Sequence, residues 1–158
     1  MLCENSVRWL YRLEESFCWK SHLDIQEDCA FKDKTGVVRL ILEKGGRITV
    51  TRGYTWNGCS PKFCFFDILI GIPDGVVDSR TGRPKTYYAS LIHDALYQFV
   101  RDGLPLKRRD ADHCFLRLME ETGFRPRYLY FFAVWLFGGL VWRVKRFVRK
   151  PAGKALPL

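Results

Sequence analysis

The chain has 158 residues, of which 47% are hydrophobic, so it is long enough to bury the core of one domain without disulfides. Its six cysteines form no Cys-x-x-Cys pair, and its first ten residues carry Glu4 and Arg8 in an apolar run too short for a signal peptide. These features exclude a disulfide-stapled secreted class and predict reduced thiols in a cytosolic or particle-interior setting.

The net charge of +9 is concentrated near the C-terminal end, where residues 125–158 contain eight basic residues and no acidic one. A basic end attracts phosphate, and both nucleic acid and anionic lipid carry it. A solvated tail is the alternative. The predicted contacts to an anionic partner are made by Arg143, Lys145, Arg146, Arg149 and Lys150.

The hydrophobic spacing changes along the chain. Residues 6–17 place apolar side chains at helical spacing behind a capping Ser6, which predicts a short amphipathic helix. Residues 29–56 alternate with a period of two around turns at 32–36 and 45–46, which predicts an antiparallel meander. Residues 53–82 are irregular, and a loop of that length is more often functional than ornamental.

Helices are predicted over residues 87–101 and 107–122, and the short link at 103–105 makes them antiparallel neighbours. Residues 128–142 carry no charge, which predicts a buried core helix over 128–144; an interfacial membrane anchor and a membrane span are the alternatives. Strand and helix patterns are segregated, so the predicted fold is α+β, with a single domain over 1–150 and a disordered tail over 151–158.

Two ionisable residues stand where these helices should be apolar. At 100° per residue, His93 lies in the middle of a hydrophobic stripe, and Asp112 lies in the stripe of the second helix. A buried carboxylate needs a partner, so we expect His93 and Asp112 to pair, with Tyr97 reaching the same group. The pair is either catalytic or a core histidine that only orients two helices.

Asp94 points about 100° away from His93, toward the edge of the stripe, where a cation or substrate can reach it. The loop over residues 53–61 follows a strand, and its Asn57-Gly58 step favours a tight turn with exposed backbone groups. This loop either supplies oxygen ligands or an anion nest, or simply ends the sheet.

Four motifs occur in a fixed order: Gly-Tyr-Thr-Trp-Asn-Gly-Cys-Ser-Pro at 53–61, Ala-Ser-Leu-Ile-His-Asp-Ala-Leu-Tyr at 89–97, Arg-Arg-Asp-Ala-Asp-His-Cys-Phe at 108–115, and an aromatic segment with Phe137-Gly138. Over residues 31–142 this order resembles a family of short phage and prophage proteins classed as a domain of unknown function. The resemblance implies a phage or prophage origin and a place in the host cytoplasm or the virion. At the position of Asn57 that family usually carries an acid.

The pattern His93-Asp94-x-x-Tyr97, with Asp112 on an antiparallel second helix, resembles the core of the secretory calcium-dependent phospholipases. The resemblance implies that His93 activates water, that Tyr97 and Asp112 orient it, and that Asp94 binds calcium. It also implies carbonyl ligands from the 54–58 loop, including Asn57 and Gly58. The Gly-rich calcium loop and the disulfide framework of that class are not reproduced.

Two functions of different classes follow. The first is a small metal-dependent hydrolase with His93 as base, Asp112 as orienting residue and Asp94 as cation ligand, placed on anionic lipid by the basic end. The second is a non-enzymatic phage protein, either a virion or tail component or a binder of a host factor. The sequence slightly favours the second, because resemblance to a fold is a weak warrant for activity.

Overall fold

A computed structural model describes residues 11–58 and 76–136 of the chain, together with a short strand at Leu156–Pro157. Antiparallel strands come first and helices follow, so the predicted α+β class is confirmed. The strands are β1 Tyr11–Arg12, β2 Phe17–Lys20, β3 Cys29–Lys32, β4 Val38–Glu43, β5 Arg47–Val50, β6 Thr55–Trp56 and β7 Leu156–Pro157.

The main sheet has the order β2-β5-β4-β3-β7, with every pair antiparallel, and it contains the predicted meander as β3, β4 and β5. Its register places Leu40 opposite Val50 and Leu42 opposite Ile48, and all four side chains are fully buried on one face. Period-two alternation therefore sets which face of the sheet covers the core.

The turn between β4 and β5 requires glycine at position 46. Gly46 has φ of +96°, and a Cβ there would lie 2.6 Å from the carbonyl oxygen of Leu23 and 2.8 Å from that of Ser21. The segment before β3 packs directly on this turn, and the Ser21 amide donates to the Gly46 carbonyl at 2.8 Å. A side chain at position 46 would therefore separate these two segments.

The helix predicted over residues 6–17 is wrong within its described part. Residues 11–12 form β1, which pairs with β6, and Phe17 begins β2 at the edge of the main sheet. Between them Leu13 exchanges backbone hydrogen bonds with Tyr54 and Gly53, at 2.8 and 2.7 Å. Strand pairing with distant segments thus outweighs the local helical spacing.

Two helices follow the sheet: α1 spans Tyr87–Phe99 and α2 spans Arg108–Glu121, close to their predicted bounds. A 3₁₀ turn at Val100–Asp102 extends α1. Gly103, with φ of +85°, then reverses the chain direction. His93 packs on Phe115 of α2, whereas Tyr97, one turn further along α1, lies by Arg108, which comes earlier in α2. The two helices are therefore antiparallel, as expected.

Residues 127–136 form a further helix, α3, and only one side of it is buried. Tyr130 and Ala133 face the core, and the Tyr130 ring meets Phe124 edge-on at 5.3 Å. The expectation of a buried core helix is wrong for this described part, because its opposite side is exposed. No helix in the described part of the chain has the length and apolar content needed to cross a bilayer.

Other predictions fall on residues outside the description. These include most of the irregular segment, at 59–75, and the basic end at 143–150. The tail predicted to be disordered, at 151–158, is described only at β7, where Leu156 and Pro157 pair with β3. The core itself is formed where α1 covers the sheet, and its largest fully buried members include Trp56, Phe31, Leu40, Leu42, Ile48, Leu91, Ile92 and Leu96.

Candidate active site between the two helices

The predicted pair of ionisable residues meets between α1 and α2. His93 Nε2 lies 3.3 Å from Asp112 Oδ1, and the Tyr97 hydroxyl donates to the same oxygen at 2.6 Å. Residues 93 and 97 are one helical turn apart on α1, so both reach across to a single carboxylate on α2. The predicted geometry of these three residues is confirmed, and its catalytic use is a separate question.

Asp112 is the most deeply placed charged group described in the protein, with 1% of the residue exposed. Its second oxygen, Oδ2, has no hydrogen bond of good geometry but lies 3.2 Å from Arg108 Nη1 in an ion pair. Arg108 thus compensates a carboxylate that water cannot reach. Arg108 was not among the predicted site residues, although the sequence carries a signal for it: an arginine four residues before a buried acid on the same helix face.

The other ring nitrogen of His93 faces a second carboxylate. His93 Nδ1 lies 3.8 Å from Asp94 Oδ1; the His93 side chain is 13% exposed and that of Asp94 is 38% exposed. The imidazole packs between Tyr97 and Phe115, with ring centroids 4.2 and 5.1 Å away. One nitrogen therefore faces a fully buried carboxylate, and the other faces a carboxylate that is partly exposed.

The two carboxylates control the protonation of His93. Burial disfavours the imidazolium and acts to lower the pKa of His93, but interactions with Asp112 and Asp94 outweigh it and raise the pKa above its ordinary value of 6.5. Burial also raises the pKa of Tyr97, and its hydrogen bond to Asp112 adds to the shift. Tyr97 therefore remains a neutral donor to Asp112 at every physiological pH.

The loop after β5 packs along α1 beside Asp94. Trp56 Nε1 donates to Ser90 Oγ at 3.1 Å, and the Tyr54 hydroxyl donates to Gln98 Oε1 at 2.9 Å. Ser90 and Gln98 stand one turn before and one turn after Asp94, so all three share a helix face. Burial raises the pKa of Tyr54, and the negative charge of Asp94 raises it further.

The predicted oxygen donors of this loop are partly available. Asn57 Oδ1 is buried and has no hydrogen-bond partner, and Gly58 is buried with φ of +77°. In the described residues no group of three or more His, Cys, Asp or Glu side chains is placed to hold a metal ion. A carboxylate, an amide oxygen and backbone carbonyls are the donor types that suit a hard cation.

Among the predicted site residues, the structure thus brings together His93, Tyr97 and Asp112, with Asp94 beside His93. Asn57 and Gly58 lie on the loop that packs along the same helix. The predicted anion-binding residues lie outside the described part of the chain; they are Arg143, Lys145, Arg146, Arg149 and Lys150.

Comparison with known proteins gives one family. A family model described as "Protein of unknown function (DUF1353)" matches residues 40–134, which is more than half of the chain. The matched region contains the 53–58 loop, His93, Asp94, Tyr97 and Asp112. No curated protein and no solved structure matches the chain.

Proposed function

The chain belongs to the DUF1353 family, whose function is unknown, and we propose that it is a small hydrolase in which His93 activates water between α1 and α2. The observation that carries this proposal is the asymmetry of the imidazole. Nε2 contacts a buried carboxylate that Tyr97 and Arg108 hold in place, while Nδ1 faces the partly exposed carboxylate of Asp94 at 3.8 Å. A general base needs one nitrogen oriented and the other accessible.

The contacts of Asp112 suit it to select the tautomer of His93. With Asp112 accepting from Nε2–H, the lone pair of a neutral imidazole is on Nδ1. Nδ1 takes a proton from water, and the resulting hydroxide attacks the carbonyl carbon of an ester. The bond from that carbon to the leaving oxygen then breaks, and the imidazolium returns the proton to the leaving alkoxide. No net proton remains on the protein.

A cation at Asp94 belongs to this proposal. The unpartnered Asn57 oxygen and the half-exposed Asp94 carboxylate fit calcium in donor type, although one carboxylate predicts weak binding, with a Kd of about 10⁻⁴ to 10⁻³ M. When bound, calcium would supply positive charge to the carbonyl oxygen of the ester. Phospholipid esters are the substrate class that the phospholipase resemblance suggests.

The experiment measures acid release from short-chain phosphatidylcholine and from a soluble carboxylic ester, with calcium present. His93→Gln should lower turnover by about 10²-fold or more, the usual contribution of a positioned base. His22→Gln is the matched control, because His22 is exposed and contacts Arg117, away from Asp112. Circular dichroism verifies that both variants fold. The proposal fails if neither ester is hydrolysed or if His93→Gln retains wild-type turnover.

A second candidate is the non-enzymatic phage protein, acting in the virion or tail or binding a host factor. The observation that favours it is that both nitrogens of His93 face carboxylates, which raise its pKa. A charged imidazole between Asp94 and Asp112 can serve as an ionic link between helices and nothing more. In that case His93→Gln changes the free energy of unfolding, and no ester is hydrolysed by the wild-type protein.

A further inference from the structure

One side of α3 is an exposed apolar surface. Its five members recur at helical spacing and are 45% to 59% exposed, which is unusual for side chains of this size. Phe132 and Trp135 stack on each other there, with ring centroids 5.9 Å apart. This surface, called the α3 face, consists of Tyr128, Leu129, Phe132, Trp135 and Leu136.

Arginines stand at both ends of the α3 face. Arg125 and Arg127 precede its first residue; Arg125 is exposed, whereas Arg127 is in an ion pair with Glu120 at 3.6 Å. At the other end Arg108 Nη1 donates to the Trp135 carbonyl at 2.9 Å, and the exposed Arg109 is close by. No acidic residue occurs in the sequence from 125 onward. An apolar surface bordered by cations is therefore complementary to an apolar layer bordered by anions.

An open cavity of about 340 Å³ adjoins the α3 face, between α2 and α3. Three of its walls are aromatic, and two of those residues also belong to the α3 face. The imidazole of His113 lies at this cavity with its Nδ1 occupied by the Arg109 carbonyl at 2.6 Å. The cavity thus joins apolar walls to one exposed cationic side chain, that of Arg109; it is lined by Arg109, Asp112, His113, Phe131, Phe132 and Trp135.

We propose that the α3 face docks on the surface of an anionic lipid bilayer, with its aromatic and aliphatic side chains among the acyl chains and the exposed Arg109 and Arg125 among the headgroup phosphates. Trp and Tyr are favoured at this depth, and basic residues near an anionic leaflet are attracted to its negative surface potential. The docking requires no membrane span and does not depend on whether His93 is catalytic.

Other occupants fit the α3 face less well. A second copy of the chain would bring the arginines of both copies together around the same patch, and like charges repel there. Nucleic acid would satisfy the arginines but leave Leu129 and Leu136 without apolar contacts. A bilayer satisfies both kinds of side chain at once.

The experiment measures sedimentation of the full chain with vesicles of phosphatidylcholine alone or mixed with phosphatidylglycerol. The mixed vesicles should bind at least tenfold more tightly, and binding should weaken as salt rises. Phe132→Ser and Trp135→Ser should each weaken it about tenfold, since each removes a large apolar side chain from the lipid. Val37→Ser is the matched control, because Val37 is 46% exposed on the β3–β4 turn.

Three results would overturn the docking proposal. One is no binding to mixed vesicles, and another is binding that Phe132→Ser and Trp135→Ser leave unchanged. The third is a dimer, detected by light scattering, that Phe132→Ser dissociates while vesicle binding is absent. His93→Gln should bind vesicles as the wild type does, so loss of hydrolysis and loss of docking are separately visible.

Discussion

The Tyr97 hydroxyl donates a 2.6 Å hydrogen bond to Asp112 Oδ1, across the interface between α1 and α2. The acceptor is a carboxylate with 1% exposure, so water cannot replace the donor if it is removed. The same oxygen is 3.3 Å from His93 Nε2. This hydrogen bond therefore supports both the packing of the two helices and the orientation of the imidazole.

Tyr97→Phe should destabilise the protein by about 1.5–3 kcal/mol, because the hydrogen bond that it removes ends on a charged, buried group. The measurement is the free energy of unfolding in urea. Tyr54→Phe is the matched control: its hydroxyl donates to the neutral amide oxygen of Gln98, and the expected loss is about 0.5–1.5 kcal/mol. Equal losses in the two variants would contradict a special role for the Asp112 charge.

Asp112→Ala should destabilise by about 1–3 kcal/mol, because it leaves the Tyr97 hydroxyl and His93 Nε2 without their acceptor and Arg108 without its ion pair. Asp94→Ala is the comparison, because Asp94 is the partly exposed carboxylate that also faces His93. Asp94 is 38% exposed, and its ion pair with His93 is 3.8 Å long, so its loss should stay within about 0.5 kcal/mol. If Asp94→Ala costs as much as Asp112→Ala, burial is not what makes Asp112 important.

The contact between His93 and Asp112 could be predicted because an ionisable residue in an apolar helix face must find a partner inside the protein. The short link between the helices left few places for that partner to be. The strand at Tyr11–Arg12 could not be predicted in the same way. The apolar residues on either side of it, such as Leu13 and Phe17, fit helical spacing, and its pairing with Thr55–Trp56 depends on a segment more than forty residues away.

The exposed side of α3 could not be predicted from the sequence, for a related reason. Residues 128–142 form an uninterrupted uncharged run, so local pattern does not say which side a neighbour covers. The structure covers Tyr130 and Ala133 and leaves Phe132 exposed. The buried face of a helix can be read from a sequence when polar residues occupy the opposite face. The exposed face of α3 has no polar residues.

Calcium binding should depend on Asp94. Calorimetry of the wild type is expected to show weak heats, with a Kd of about 10⁻⁴ to 10⁻³ M, and Asp94→Ala should abolish them. Asn57→Asp should tighten binding, because it adds a charge where a buried oxygen now has no hydrogen-bond partner. Asp110→Ala is the control, since Asp110 caps the start of α2 by accepting from the Lys107 amide. Equal heats from wild type and Asp94→Ala would remove calcium from the proposed mechanism.

The free energy of unfolding should depend on pH through the protonation of His93. Its pKa is raised in the folded state, above the ordinary value of 6.5, so the folded protein holds the proton more tightly than the unfolded chain. The resulting stabilisation is complete below pH 6.5 and is lost as the pH rises through the folded-state pKa. Urea unfolding of the wild type across this window should therefore show a decline that His93→Gln removes. His22→Gln should keep the decline, because it leaves Asp94 and Asp112 with their imidazole. Parallel pH profiles for wild type and His93→Gln would mean that His93 holds its proton no more tightly in the folded protein than in the unfolded chain.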